Sequence, residues 1–389
     1  MTQAAVAHSE LVESSAAGAD VARQITAGLG GDRPDALLVF ASAAHDYTAL
    51  LRAIDEGCSP RTMVGCSSAG EYTSQAQSTG SVSAVALRSS DMQFAAGLGR
   101  GLRSDLSHAV AELGSALRGF EQSSFTYRYA LVLTDALAGR ADELIDELTH
   151  LTAGAYQFFG GGAGDDARFE QTHVFCGREA VADAAVVLEI LSNKPVGIGV
   201  RHGWQPASEP MRVTEADGMR LRSLNAAPAV DMFEDHAQAT GQRFEASQPL
   251  PFFLQNVLGI DAGAGYKLRV PLGVGEDGSV LCAADIPTGA TAHIMGTTAR
   301  SAADAAAAAT LDAVGQLGGL TPRVGLFFDC VATRLRTGAG FGDELRSVQE
   351  ALGPDATFGG CNTYGQIARV DGQFSGFHNC TAVVCVIPD

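Results

Sequence analysis

The stretch LLVFASAAHDYTALLRAIDEGCSPRTMVGCSSAGEY, from Leu37 to Tyr72, decides the fold. It opens on a continuous apolar run, Leu37-Leu38-Val39-Phe40, of the kind that becomes a strand covered on both faces. Leu50, Leu51 and Ile54 follow at helical spacing and mark one buried stripe. Thr62-Met63-Val64 reads as a second strand. The turn GCSSAGEY, Gly65 to Tyr72, then reverses the chain with glycines that tolerate positive φ. A strand from Val82 to Leu87 closes the unit.

The same order recurs twice. In the second unit Ala130 to Leu133 is the strand, Leu144, Ile145 and Leu148 stripe the helix, and Gln157-Phe158-Phe159 leads into GGGAGDD, Gly160 to Asp166. Ala184 to Ile190 closes it. In the third, Gly325 to Phe328 is followed by a helix striped by Leu345, Val348 and Leu352. Thr357-Phe358 then leads into the turn GGCNTYGQI, Gly359 to Ile367, and Cys380 to Ile387 closes the unit. The second and third units share a leading helix, one through Leu106, Val110, Leu113 and Leu117, the other through the alanine-rich stretch Ser301 to Leu317, whose small face permits close packing on a sheet.

These repeats predict an α/β fold of repeated β-α-β units with glycine turns, forming layered mixed sheets covered by helices. A region of different character, about Val196 to Met295, separates the second and third units. It holds two hairpins turning at Asp217-Gly218 and Asp277-Gly278, a helix from Pro228 to about Ala239, and the run Pro249-Leu250-Pro251-Phe252-Phe253. A boundary near Ser192 to Pro195 gives two halves of similar size, residues 35–194 and 195–389, behind a tail and first helix over residues 1–34.

Composition bounds the function. The 389 residues are 46% apolar and 18% charged, which suits a folded chain of two or three domains. A net charge of −18 repels phosphate backbones and anionic lipid, so neither nucleic acid nor membrane is an expected partner. No apolar run has the length of a membrane span, and the first thirty residues lack the pattern of a signal peptide, so a cytoplasmic location is expected. The eight cysteines form no C-x-x-C pair and fall in apolar runs, as reduced buried thiols do.

The turn GCSSAGEY, the segment HGWQPASEPMRVTEADG (His202 to Gly218), the stretch VPLGVGEDGSVLCAADIPTGA (Val270 to Ala290) and the ending GGCNTYGQI with FHNCT (Phe377 to Thr381) together resemble the FIST family of sensory domains over about Asp35 to Val386. The resemblance implies an N-terminal and a C-terminal FIST half and a ligand-sensing role in signal transduction. With no output domain in the sequence, it implies a stand-alone sensor that signals through a separate protein. In size the chain is similar to the haem-based nitric-oxide-sensing NosP branch, which implies haem as cofactor, nitric oxide as signal and a partner histidine kinase. The family's other implied ligand is a small metabolite such as an amino acid. The oligomeric state stays open, a homo-oligomer included.

Haem requires an axial donor in an apolar pocket. Of the nine histidines, His8 falls in the tail, His108 and His150 on polar helix positions, and His173 and His293 near or within strands. His236 is the first candidate for the metal: it follows Met232 and Phe233 on the apolar face of its helix, with Phe252, Phe253 and Tyr266 available to wall a porphyrin. His202, beside Trp204, is the second; its alternative is a turn residue whose ring bonds to backbone. His45 follows the first strand at its carboxyl end, and a Cys330 thiolate is a further candidate ligand. For a metabolite, alignment of the units places Ser42, Asp135 and Cys330 at one point after a strand, and Arg334 could clamp a carboxylate. Thr363, Tyr364 and Gly365 offer hydroxyls and backbone N–H groups. Cys66 and Cys361 raise a cysteine-dependent enzyme as an alternative, since a nucleophile on a sharp turn is a known device. The second unit has Gly162 near that position and no paired base, so the expectation is that the protein is not an enzyme.

Overall fold

The three apolar runs become central strands because their side chains lose little by leaving water on both faces of a sheet. Ala36–Ser42, Ala130–Thr134 and Val324–Cys330 are buried residue for residue. In the computed structural model, which describes residues 1–121, 124–263, 265–370 and 375–389, each strand pairs in parallel with the strand that follows its crossover helix. Ala36–Ser42 lies beside Met63–Ser68, Tyr127–Thr134 beside Gln157–Gly162, and Pro322–Cys330 beside Thr357–Thr363. The closing strands Val82–Ser89, Ala184–Ser192 and Ala382–Pro388 run antiparallel on the other side. The expected α/β architecture of mixed sheets covered by helices is therefore present.

Each unit carries more than the sequence pattern revealed. Residues 2–9, read as a tail, form a strand against Val82–Ser89. Met92–Arg100 and Gly197–Arg201 hold the same place beside the other two closing strands. The helix Ser14–Gly28 is the first unit's leading helix. The inserted region thus lies inside the third unit, between its leading strand and its leading helix Ala299–Gly315, rather than between units. These edge strands escape a periodicity search because only part of each is buried: Thr2–Ser9 alternates rather than running continuously apolar.

Glycine is required at one register position of every unit. Gly65, Gly160 and Gly360 face Val39, Val132 and Phe327 across the parallel pairs. A Cβ at these glycines would fall 1.9, 2.1 and 1.7 Å from the carbonyl oxygens of those partners.

After its glycine turn, each unit sends a hairpin to a neighbour's sheet. Glu71–Thr73 of unit one pairs with Thr357–Thr363 of unit three. Gln366–Arg369 of unit three pairs with Gln157–Gly162 of unit two. Val174–Cys176 of unit two pairs with Met63–Ser68 of unit one. The exchange is cyclic and yields three six-stranded sheets whose inner faces share one core. Phe40 and Phe328 meet there edge to face, 5.7 Å apart. Helices cover the outer faces. Asp46, Asp105 and Thr298 cap three of them by accepting the N–H of Ala49, His108 and Ser301. Ala306, Ala309 and Ala313 of the alanine-rich helix are buried against the third sheet, as their small size allows.

The inserted region forms a nine-stranded sheet with its own core around Phe233, Phe253 and Leu258. Its hairpin Met211–Asp217/Arg220–Leu224 and the pair Pro271–Val274/Val280–Cys282 turn where the Asp-Gly dipeptides predicted. Trp204, Leu268 and Val270 seat it on Cys330, Ala332 and Cys380 of unit three.

Gly360→Ala forces a Cβ onto a backbone carbonyl and should cost about 3 kcal/mol or prevent folding, at the upper end of overpacking costs. Gly315→Ala, at a helix end with open space around it, should change stability by less than about 1 kcal/mol and in the stabilising direction. Urea midpoints of the two variants check both outcomes.

Candidate functional site

Three equivalent side chains stand at the carboxyl ends of the three first-paired strands, where open sheets bind ligands. Two are consumed by local polar bonds. The Ser42 hydroxyl donates to Asp166 Oδ2 at 2.8 Å. Asp135 accepts the Thr172 hydroxyl, the Leu137 N–H at 3.0 Å and the Asp183 N–H at 2.6 Å. The third, Cys330, opens onto an apolar pocket of about 170 Å³. A void of about 150 Å³ lined by apolar side chains holds benzene, so this one has room for a small apolar molecule.

Three parts of the chain build the pocket. Unit three contributes Cys330, Val331 and Leu335 from the strand end and the helix Val331–Thr337, with Tyr364 and Gly365 from the glycine turn. Unit two contributes Leu137 and Phe169. The insertion supplies the roof through Met219, Leu254, Leu272 and Leu281. At the mouth Phe169, Met219, Leu281 and Leu335 are 41%, 42%, 40% and 46% exposed, a cluster of large apolar side chains in water.

The lip around Phe169 is strained and pinned. Asp166, Ala167 and Phe169 all adopt left-handed φ, between 58° and 61°. Buried Asp165 holds them: it accepts the N–H groups of Phe169, Glu170 and Gln171 at 2.7–2.9 Å and the hydroxyl of Tyr364. The Tyr364 ring stacks on Phe169 at 4.4 Å. Burial and the Asp165 carboxylate push the Tyr364 phenol far up, so it stays a donor. Tyr364 therefore joins the pocket wall to the lip.

Arg334 faces away, into an adjoining cleft lined by residues of all three units, where it and Asp166 stand as charged groups among largely apolar walls. Its Nη1 donates to Asn362 Oδ1 at 3.0 Å, and its guanidinium lies 5.7 Å from the Phe341 ring centre. Gly70 makes room for it, since a Cβ there would stand 1.9 Å from Nη1. Asp166 Oδ1 and Asn362 Nδ2 are buried without partners. Thr363 reaches neither space: its hydroxyl donates to the Asp329 carbonyl at 3.2 Å and accepts from Gln366 at 2.9 Å.

The histidine set does not come together around a void. His236 is buried on the helix Ala229–Thr240, and its Nε2 pairs with Asn256 Oδ1 at 3.2 Å. Phe252 and Phe253 pack on Phe233 and Phe244 and fill the insertion's core. His202 donates from Nε2 to the Tyr266 carbonyl at 3.1 Å and accepts the Trp204 N–H at Nδ1, the turn role that was its alternative reading. Tyr266 stands against His293 at 5.4 Å. His45 is buried beside Ser14. None of these side chains lines the pocket, and their ring bonds and packing do not fit an axial haem ligand. Among the described residues no group of three or more His, Cys, Asp or Glu side chains is placed to hold a metal ion. Cys66 and Cys361 touch each other in the central core, where burial pushes the Cys361 thiol up. The residue equivalent to them in unit two is Gly161, one before the position expected.

The lip residues were missed from sequence. A lone exposed Leu335, Phe169 or Met219 carries no signal by itself. Only the repeat alignment could point there, through Cys330 and the Tyr364 turn.

Two family models match the chain: the FIST N domain over residues 35–227 and the FIST C domain over residues 229–369. No curated protein matches it. Among solved structures, Thermotoga maritima PurL complexed with AMPPCP is similar at 11% identity and a TM-score of 0.25, covering 99% of this chain and 72% of that one. The Thermotoga maritima PurLQS structure is similar at 12% identity and a TM-score of 0.20, with the same coverage. These scores carry no argument about fold or ligand. Among the described residues no helix is long and apolar enough to cross a membrane.

Glu71 lies fully buried near Asp166 and Arg334. Burial pushes its carboxyl up to about 7, against the bonds donated by Ser68 and Ser81. A carboxyl raised in the fold favours its protonated form, so the stability it contributes is present below the ordinary glutamate range, near about 4.3, and is lost as pH rises through about 7. Glu71→Gln should remove that slope. Melting curves from pH 4.5 to 8 should show the variant gaining several degrees on the parent across this window.

Proposed function

The chain belongs to the FIST family of sensory domains, and from that premise we propose that it senses a small, largely apolar molecule held in the pocket at Cys330. The observation that carries the reading is the pocket itself: it lies at the one strand end left without a polar cap, roofed by a separately cored insertion, with four large apolar side chains at its mouth. The reading further assigns the output to a separate protein, a histidine kinase by family resemblance.

Sensing requires that the guest bind two arrangements of the protein differently, since the signal cannot exceed that difference. The seating of the insertion is the element available for this. Besides its apolar contact with unit three, it is latched to unit two by Arg269, whose Nη2 meets Asp142 Oδ2 at 3.0 Å. Lys267 joins the same carboxylate at 3.3 Å. Burial alone would push the Asp142 carboxyl up, but Arg269 and Lys267 outweigh it and hold the carboxyl below its usual range. A guest between roof and floor bears on this latch and can pass its presence to the paired strands Gln366–Arg369 and Ser375–His378, because Asp142 also accepts the Phe377 N–H at 2.8 Å.

The cleft at Arg334 favours a second reading, an amino acid. Arg334 offers a planar fork for a carboxylate, and the unpartnered Asp166 Oδ1 suits an ammonium group. Haem draws no support from the placement of His236 or His202, and no step is derived through it.

Thermal melts test the choice. Millimolar 3-hexanone, cyclohexanol or benzene should raise the melting temperature, as mass action requires of a ligand bound only by the folded state. Leu335→Arg, at the exposed lip, should abolish that rise and leave the unliganded melt nearly unchanged. A rise with leucine that disappears in Arg334→Gln would move the site to the cleft. A Soret band that shifted with nitric oxide and vanished in His236→Ala would overturn the reading in favour of haem.

A further inference from the structure

The leading strand of each unit lies at an edge of its six-stranded sheet, and the three edges are finished differently. A sheet edge presents a row of unpaired N–H and C=O groups, which soluble chains ordinarily cover or blunt. In unit one Gln24, from the leading helix, accepts the His8 N–H at 3.1 Å and donates to the His8 carbonyl at 2.8 Å, and Asp389 Oδ1 accepts the Thr2 N–H at 3.2 Å. In unit three Gln316 clamps Ile198 in the same way, at 3.1 and 2.7 Å, and Arg201 donates to the Val200 carbonyl at 2.9 Å. Unit two has Glu112 instead, which accepts the Arg100 N–H at 2.9 Å and has no hydrogen to return. Met92–Arg100 is also the longest of the three strands, and Phe94 through Leu98 are all partly exposed. Its bonds to the closing strand fall on odd-numbered positions: Gly101 donates to the Asp183 carbonyl at 2.7 Å and Asn193 to the Asp91 carbonyl at 3.3 Å. The N–H and C=O groups of Phe94, Ala96 and Leu98 therefore point to the open side, where among the described residues no strand pairs with them.

We propose that the edge from Phe94 to Leu98 docks one extended segment of a partner protein, which adds to the sheet as a further strand. The inference does not depend on what the pocket at Cys330 holds. A second copy of this chain does not fit the edge. The helix Leu106–Gly114 lies so close over the strand that a Cβ at Gly99 would fall 2.3 Å from the Ala109 carbonyl oxygen, and one at Gly97 3.1 Å from that of Leu113. Two copies joined edge to edge would set two such helices about 5 Å apart, the strand spacing, where packed helices need about 8–10 Å. A single strand brings no helix with it. The walls define its chemistry. Antiparallel pairing sets one of its side chains opposite Ala96, on the face where Phe94, Ala96 and Leu98 pack against the shared core. Ala96 is small, so an aliphatic side chain there fills the notch between Phe94 and Leu98. The Met92 end of the edge opens on a cleft of about 290 Å³ that holds Arg61, Arg118, Asp35 and Glu189. Both arginines are exposed. Arg61 meets Asp35 at 3.2 Å, while buried Glu189 already accepts the Gly119 N–H at 2.9 Å and the Tyr156 hydroxyl. The exposed guanidinium groups favour carboxylates on the incoming segment, at its carboxyl end if it runs antiparallel. The fitting partner is thus a strand with alternate aliphatic side chains and an acidic end.

The test uses the intact protein and a dye-labelled peptide, blocked at both ends, of sequence Thr-Val-Thr-Leu-Thr-Val-Glu-Glu, read by fluorescence anisotropy. Its leucine is placed to stand opposite Ala96. Saturable binding is expected. N-methylation of the leucine amide, which faces the edge, should weaken binding at least tenfold. N-methylation of the threonine amide that follows it, which faces away, should change binding less than threefold. Replacing both glutamates by glutamine, or Arg118→Gln in the protein, should weaken binding several-fold. Ala96→Pro removes an edge-facing N–H and no bond to the closing strand, so the variant should melt near the parent and bind at least tenfold more weakly. If that variant does not fold, the two methylated peptides decide alone. Absence of saturable binding up to about 1 mM peptide would overturn the proposal. Equal effects of the two methylations would overturn strand addition, and equal binding of the glutamine peptide would overturn the acidic partner. A dimer of the protein that dissociates in Ala96→Pro would overturn the single segment in favour of a second copy.

Discussion

A carbonyl oxygen pressed against a bare α-carbon, repeated once per unit, sets the geometry of this molecule. At Gly65, Gly160 and Gly360 the paired strand comes so close that a methyl group could not fit. That approach brings the carboxyl ends of each parallel pair together and sends the chain out through a turn toward the next sheet. The hairpin exchange follows from it, and with it the shared core that includes Phe40, Leu133 and Phe328. Folding in this design is cooperative across units, because no sheet is complete without a neighbour's strands.

The same frame explains why one strand end became the pocket. In units one and two the position after the strand carries a polar side chain, Ser42 or Asp135, which closes the local turn with hydrogen bonds. Unit three has Cys330 there, and the insertion enters between that unit's first strand and first helix, above the gap. A buried surface with few polar demands is left between two separately packed bodies. Such a boundary can hold a guest without breaking either core, and it can shift without unfolding either one. The Arg269–Asp142 pair ties that boundary to the rest of the molecule.

The central strands, their crossover helices and the glycine turns were legible in the sequence because complete burial leaves continuous apolar runs and a helix stripe. The leading strands were not, since half-buried edges such as Thr2–Ser9 need only partial apolar content. The exchange of hairpins leaves no local trace, as its pairs lie more than a hundred residues apart. Alignment of the repeats located Cys330, and the glycine turn located Tyr364 and Gly365, all three of which meet at the pocket. Helix periodicity placed His236 correctly on an inward face, but an inward face is filled by core as readily as by ligand, and here Asn256 and the phenylalanines occupy it. Arg334 was legible as a fork able to clamp a carboxylate; which space it faces depends on Gly70, a contact between distant segments.

Xenon offers the most direct measurement of the central claim, because it enters dry apolar cavities of this size and makes no demand on ligand chemistry. A crystal of the protein pressurised with xenon should show a strong peak between Cys330, Leu272 and Tyr364. Ordered water filling that space, with xenon bound elsewhere, would contradict the account.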